Sequence, residues 1–213
     1  MKKRFVICFA LLFATTSPAG ADAVLLGTTG SLEGVIGFEP NHPLAQRFSV
    51  TSAIDVSAIN VLVAGFAAGP LLLQLTDSLG TGTTAADVLF ETLLTPSGPM
   101  EWLSAPVAVT LDIGTYFVVM NDASGGFVNS GWVRQSSTIS SGVGTIDAVT
   151  LHAPNGDPNF APSSNFVNCG CEYLGLEIVG SPHQVPEPAL MLLLASGACS
   201  RWLRSTRRIN KPR

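Results

Sequence analysis

The feature that most constrains this chain is a two-residue alternation of apolar and polar side chains, cut every ten residues or so by Gly and Pro. Side chains of a strand point alternately to its two faces, so such a pattern writes half-buried strands. Val107, Val109, Leu111 and Ile113 alternate with Ala108, Thr110 and Asp112. Leu71, Leu73 and Leu75 alternate after Gly69-Pro70. Gln46 to Thr51, Val88 to Leu94, Tyr116 to Met120, Phe127 to Val133, and Leu174, Leu176, Ile178 read as further strands. Between Ile54 and Val63 the apolar phase switches, from Ile54, Val56 and Ala58 to Ile59, Val61 and Val63. A switch inside one strand predicts a bulge or corner near Ala58. Gly114-Thr115 is expected to turn the chain, and residues 134–170, rich in Ser, Gly, Asn and Pro, to form long loops. No long helical stripe and no short repeat occur. The expected fold is all-β: an antiparallel β-sandwich, jelly-roll-like, of eight to ten strands, with a short C-terminal hydrophobic helix.

Charge is strongly segregated. Residues 1–21 carry Lys2, Lys3 and Arg4 and no acid; residues 22–184 carry 14 acids against Arg47 and Arg134; residues 185–213 carry six bases against Glu187. A middle section with a net charge of −12 repels nucleic acid, so no nucleic-acid partner is expected. The bases flank apolar runs instead, as they do beside membrane segments.

Lys2-Lys3-Arg4, the ten-residue apolar run Phe5 to Ala14 and the small-x-small triplet Ala19-Gly20-Ala21 have the layout of a secretory signal peptide, residues 1–21. Cleavage is expected after Ala21, with Ala23 as the alternative; the partners are then a secretion translocon and a signal peptidase. The run is about half the ~20 residues a spanning helix needs, and Pro18 breaks the helix before the site.

The other end has three parts in order. Val185-Pro186-Glu187-Pro188 is followed by the apolar run Ala189 to Cys199, and then by Arg201, Arg204, Arg207, Arg208, Lys211 and Arg213. The prolines stop secondary structure from running on, and the basic end holds the terminus on the cytoplasmic side of the inner membrane. The apolar run has 11 residues, about 17 Å as a helix against a ~30 Å hydrocarbon core. Counting to Leu203 with Arg201 snorkelling gives 15. Residues 185–208 resemble the PEP-CTERM sorting signal of bacterial surface proteins. That resemblance implies an exosortase-type membrane protease as partner, transient anchoring in the inner membrane, removal of the tail near the motif and delivery to the cell envelope or beyond. It also implies a place in systems that export exopolysaccharide and build biofilm, with exopolysaccharide as a candidate partner. Ala45 to Val50 and Leu111 to Phe117 resemble strand-and-turn pieces of sandwich domains upstream of such signals; this assigns no activity to residues 22–184.

The middle section shows little organised chemistry. His42, His152 and His183 are scattered, and no HExxH, GxSxG, P-loop or dinucleotide fingerprint occurs. Asn155, Asp157 and Asn159 space oxygen ligands as calcium loops do, but Phe160 and Phe166 stand where Gly and Glu belong, so a polar turn is expected. Cys169-Gly170-Cys171 is a local pair, bridged across a small ring or unpaired, and two Cys do not make a metal site. Trp102, Trp132, Tyr116 and Tyr173 are either core or a sugar-stacking platform. The sequence therefore predicts a non-enzymatic surface or matrix protein without cofactor or metal. The alternatives are a carbohydrate-binding module and, behind it, a secreted hydrolase.

Overall fold

A computed structural model describes residues 22–184 except 40, 66–68, 124–129, 158–159 and 171–172. Residues 1–21 and 185–213, the segments expected above to be a signal peptide and a sorting tail, thus lie outside the described residues. The body, up to Pro182, is all-β: its described residues form two antiparallel six-stranded sheets and two single-turn 3-10 pieces, Ala85–Asp87 and Ala161–Ser163. Its strands are β1 Ala23–Gly37, β2 Leu44–Val50, β3 Ile54–Gly65, β4 Leu71–Thr76, β5 Val88–Leu94 and β6 Met100–Leu111. They continue as β7 Gly114–Asp122, β8 Ser130–Ser140, β9 Gly144–His152, β10 Val167–Asn168, β11 Tyr173–Leu174 and β12 Leu176–Pro182.

One sheet has the order β11-β8-β1-β12-β3-β6, the other β10-β9-β2-β7-β4-β5. In the first, β8 also pairs with β3 through Val63↔Trp132 and Gly65↔Ser130. The pairings β1–β8, β8–β3, β3–β12 and β12–β1 therefore close a cycle of four strands. One core cluster draws on both sheets, among them Phe48, Leu73, Val118 and Met120 from one and Ile54, Ile59, Trp132 and Ile178 from the other. This is the burial expected from the alternation: one face of each strand leaves water.

The phase switch in β3 is real. Ile54 and Val56, then Ile59, Val61 and Val63, are buried, and the register shifts between Val56 and Ala58 against β6 and at the matching point against β12. Gly180 sits at this irregularity; a Cβ there would come within 2.0 Å of the Asp55 carbonyl oxygen. Gly180→Ala is expected to destabilise the body by about 2 kcal/mol in chemical denaturation, because backbone rather than a flexible side chain must give way.

The fold corrects three sequence expectations. Ile113 does not extend β6 but lies exposed in the Asp112–Ile113 turn, one step before the predicted Gly114-Thr115 turn, which instead opens β7. Residues 134–152, read as loop, carry the rest of β8 and all of β9. Their alternation was masked because an inward position of β8 is polar: Gln135 is buried and accepts a 2.6 Å hydrogen bond from Thr28 Oγ1. The strand number, twelve among the described residues, exceeds eight to ten because β10 and β11 are two-residue pieces and β1 is rich in Gly and Thr.

A break between β11 and β12 organises the centre. Gly175 passes so close to Leu62 that an added Cβ would meet its Cβ at 2.5 Å. Each backbone group at this buried break finds a partner, as burial requires. Gly175 N–H donates to Val133 O (2.7 Å), and Gly175 O accepts from Leu62 N–H (2.9 Å) and from the Trp132 indole N–H (2.8 Å). Leu174 N–H donates to Gln46 Oε1 and Leu176 N–H to Thr28 Oγ1, both at 2.8 Å. Gln46, on β2, thereby ties the two sheets together through the core.

Candidate functional site

Both ends of the body lie at the same end of the fold. Ala23, the first residue of β1, pairs with Gly180 near the close of β12, and the two strands are antiparallel. The chain therefore enters and leaves side by side, at what we call the near end. Following the registers outward, the turns at 51–53, 77–87, 112–113 and 141–143 share the near end. Residues 41–43, 69–70, 95–99, 123 and 153 lie at the far end.

Carboxylates stand at both ends. Asp22, Asp55, Asp77 and Asp112 lie at the near end. Tyr116 reports this field: burial, and then the Asp112 and Asp77 carboxylates, push its hydroxyl above its ordinary pKa, although that hydroxyl donates to Asp112 O (3.0 Å). At the far end the exposed Glu101 carboxylate accepts from the backbone N–H of Ser97 and of Gly98 (2.8 Å), which hold it below the usual carboxylate range. It clamps the β5–β6 connection.

The residues predicted for processing, Ala19 and Ala21, and for sorting, Val185, Pro186, Glu187, Pro188, Arg201, Arg204, Arg207 and Arg208, lie outside the described residues. The described chain begins at Asp22 and runs to Gln184 between them. Among the described residues no helix is long and apolar enough to cross a membrane.

The four aromatics do not form one platform. Trp132 is fully buried, and Tyr116 is buried with its ring stacked on Phe48 at 5.7 Å. Tyr173 is half-buried against the core, and Trp102 is exposed on the outer face of β6. Inward strand positions put the first two in the core. His42 lies 2.9 Å from Glu39 in a far-end turn, His152 closes β9, and His183 follows β12. Among the described residues no group of three or more His, Cys, Asp or Glu is placed to hold a metal. Asp157 serves its own turn: its carboxylate accepts from Phe160 N–H (3.3 Å) and Ser163 Oγ (3.5 Å). Cys169 is half-buried and its N–H donates to Thr150 O (3.1 Å); Cys171 lies outside the described residues.

The feature that sequence reading missed is a hollow of about 320 Å³ beside β5, lined by Ala85, Val88, Leu89, Phe90, Glu91 and Phe160. Phe160 borders it at the head of a strap, 160–166, that packs on the outer face of the second sheet. There Ala161 is buried against Ala45 and Val119. Pro162 O accepts from Gly80 N–H at 2.8 Å. Glu91 stands directly opposite Gln74 on β4, and Gln74 Nε2 donates to Glu91 Oε2 at 3.2 Å. A second hollow, about 360 Å³, lies at the β3 irregularity beside the Asp55–Thr110 hydrogen bond. The only sequence signal for the first was a polar pair, Gln74 and Glu91, inside apolar strands.

Set against protein-family models, curated proteins and solved structures, the chain matches none.

Proposed function

We propose that this chain is an exported, non-enzymatic protein of the cell surface or extracellular matrix, sorted by a PEP-CTERM-type tail. In this reading residues 1–21 are a signal peptide removed after Ala21. Residues 22–184 are the extracellular body. Residues 185–208 are a sorting tail with a short hydrophobic membrane helix, cut near Val185 to Pro188 by an exosortase-type protease. The setting is an exopolysaccharide- and biofilm-linked envelope.

The observation that carries the reading is where the body begins and ends. Its first strand starts at Ala23, two residues past Ala21, and its last strand stops at Pro182, three residues before Val185. Both junctions fall at the near end. Two cuts there would leave every strand of the body intact, and one membrane would serve both segments without stretching the fold. The body itself reads as a jelly roll. The pairings give the orders β1-β8-β3-β6 and β2-β7-β4-β5. Chain neighbours β1/β2, β7/β8, β3/β4 and β5/β6 then occupy matching places in the two sheets, as two interlocked Greek keys require. On this reading β9, β10, β11 and β12 are additions to the eight.

N-terminal sequencing and intact mass of the protein from its own cells test the proposal. The expected product starts at Asp22 and lacks the terminal arginines. A product that starts at Met1, or one that still ends at Arg213, overturns it.

A further inference from the structure

The hollow beside β5 has the chemistry of a site for a cation on an apolar frame. Its lining is otherwise apolar: Ala85, Val88, Leu89, Phe90 and Phe160, with Leu89 on the same outer face of β5 as Glu91 and Phe90 turned to the core. The polar element is the Glu91 carboxylate, one oxygen of which is engaged by Gln74 Nε2 while the residue stays exposed. Gln74 is itself buried, so this orientation is set from below, by packing rather than by solvent. Phe160 is held from both sides: its N–H donates to Asp157 Oδ1 (3.3 Å), and its carbonyl accepts from Ser163 Oγ (2.9 Å). A carboxylate held by Gln74 and a Phe160 backbone anchored in this way need less reordering when a ligand arrives, which favours binding. The volume is at the low end for ligand sites and suits one ring-sized group.

Charge selects among ring-sized ligands. No base lines the hollow. The only bases of residues 22–184 are engaged elsewhere, Arg47 with Asp147 (2.6 Å) and Arg134 with the Glu33 carbonyl. An acidic sugar would meet Glu91 with no counter-charge, inside the field of a −12 body. An ammonium group would gain a charge-assisted hydrogen bond from Glu91 and the attraction of that field. A pyranose ring offers an apolar face to lie on Phe160 while presenting an amine at its edge.

We propose that the hollow formed by Glu91, Leu89, Phe90 and Phe160 binds a protonated hexosamine residue of a polysaccharide. The body thereby holds a cationic, amine-bearing polymer, and the site does not depend on the fate of the tail.

The test titrates the full chain, in mild detergent, with the tetramer of glucosamine. The tetramers of N-acetylglucosamine, galacturonic acid and lysine serve as comparisons, followed by calorimetry and by backbone chemical shifts. The glucosamine tetramer is expected to bind at least tenfold more tightly than either other sugar, with shifts centred on Ala85, Leu89 to Glu91 and Phe160. Glu91→Gln, which keeps the acceptor for Gln74 but removes the charge, is expected to weaken binding about tenfold. Glu33→Gln removes the same charge from an exposed site elsewhere and is expected to leave binding unchanged. Phe160→Ala is expected to weaken it comparably to Glu91→Gln. Equal losses for Glu91→Gln and Glu33→Gln would reduce the effect to overall charge and overturn the site. Equal affinity for the N-acetylated tetramer would overturn the ammonium–carboxylate pair. Tighter binding of tetralysine would overturn the sugar and assign the hollow to a protein partner. Shifts confined to other residues would remove the hollow altogether.

Discussion

Trp132→Ala is expected to cost the body about 4 kcal/mol, a large share of the ~5–15 kcal/mol that holds a domain folded. The indole is fully buried in the core, and its N–H is one of two donors to Gly175 O. Its strand pairs with β1 through Ile36 and with β3 through Val63, so Trp132 lies where the four-strand cycle closes. Truncation would open a cavity at the point where four strands depend on one another. Trp132→Phe keeps most of the apolar volume and loses the hydrogen bond; a loss of about 1–2 kcal/mol is expected. Trp102→Ala, on the exposed face of β6, is expected to change stability by less than ~1 kcal/mol. Urea denaturation of the three variants checks the order. Equal losses at Trp132 and Trp102 would contradict the closed cycle as the centre of the fold.

The second large effect concerns the tail. A chain ending at Gln184 is expected to be exported and lost from the cells to the medium, and Glu187→Ala to keep its basic end and remain unprocessed. Glu187 stands between Pro186 and Pro188, and prolines at this spacing disfavour helix and remove backbone donors, which in the proposed reading would leave the segment open to a protease. An extended segment can lie along a protease by its backbone. In the proposed reading the bases from Arg201 onward would stop the tail from being pulled across the membrane. Removing them takes six positive charges from the molecule and leaves a strongly acidic product. That product would be repelled by anionic polymers and attracted by cationic ones. The measurement is the surface-to-medium ratio and C-terminal mass of each variant, tagged in a far-end loop. A normally trimmed Glu187→Ala product would remove the motif's role. Loss of retention in the truncation alone would leave a plain hydrophobic anchor.

The strands that could be read in advance are those whose inward positions are all apolar. Leu71, Leu73 and Leu75 are all fully buried, as are Leu174, Leu176 and Ile178. The β3 irregularity could also be read, because a bulge moves the apolar phase and the phase is written in consecutive residues. β8 could not be read past Val133. Its inward Gln135 is tolerated only because Thr28, 107 positions away, donates to it. The Glu91 hollow was hidden for a similar reason. Gln74, Glu91 and Phe160 come from two strands and a strap, and nothing local to any of them signals the others.

The linear order of residues was enough for whatever depends on short range: an all-β body from the alternation, the segregation of charge, and the make-up of the two ends. These follow from contact between a stretch of chain and its solvent, water or lipid, which each segment meets by itself. Folding in three dimensions was needed to say which strands are neighbours, that Trp132 and Tyr116 belong to the core, and that entry and exit meet at one end, where four aspartates also lie. Those outcomes rest on pairings such as Ala23 with Gly180, between opposite ends of the body. Their stability comes from satisfying backbone groups and burying faces jointly across the whole body, against the entropy of closing long loops. No single stretch of the chain contains that balance.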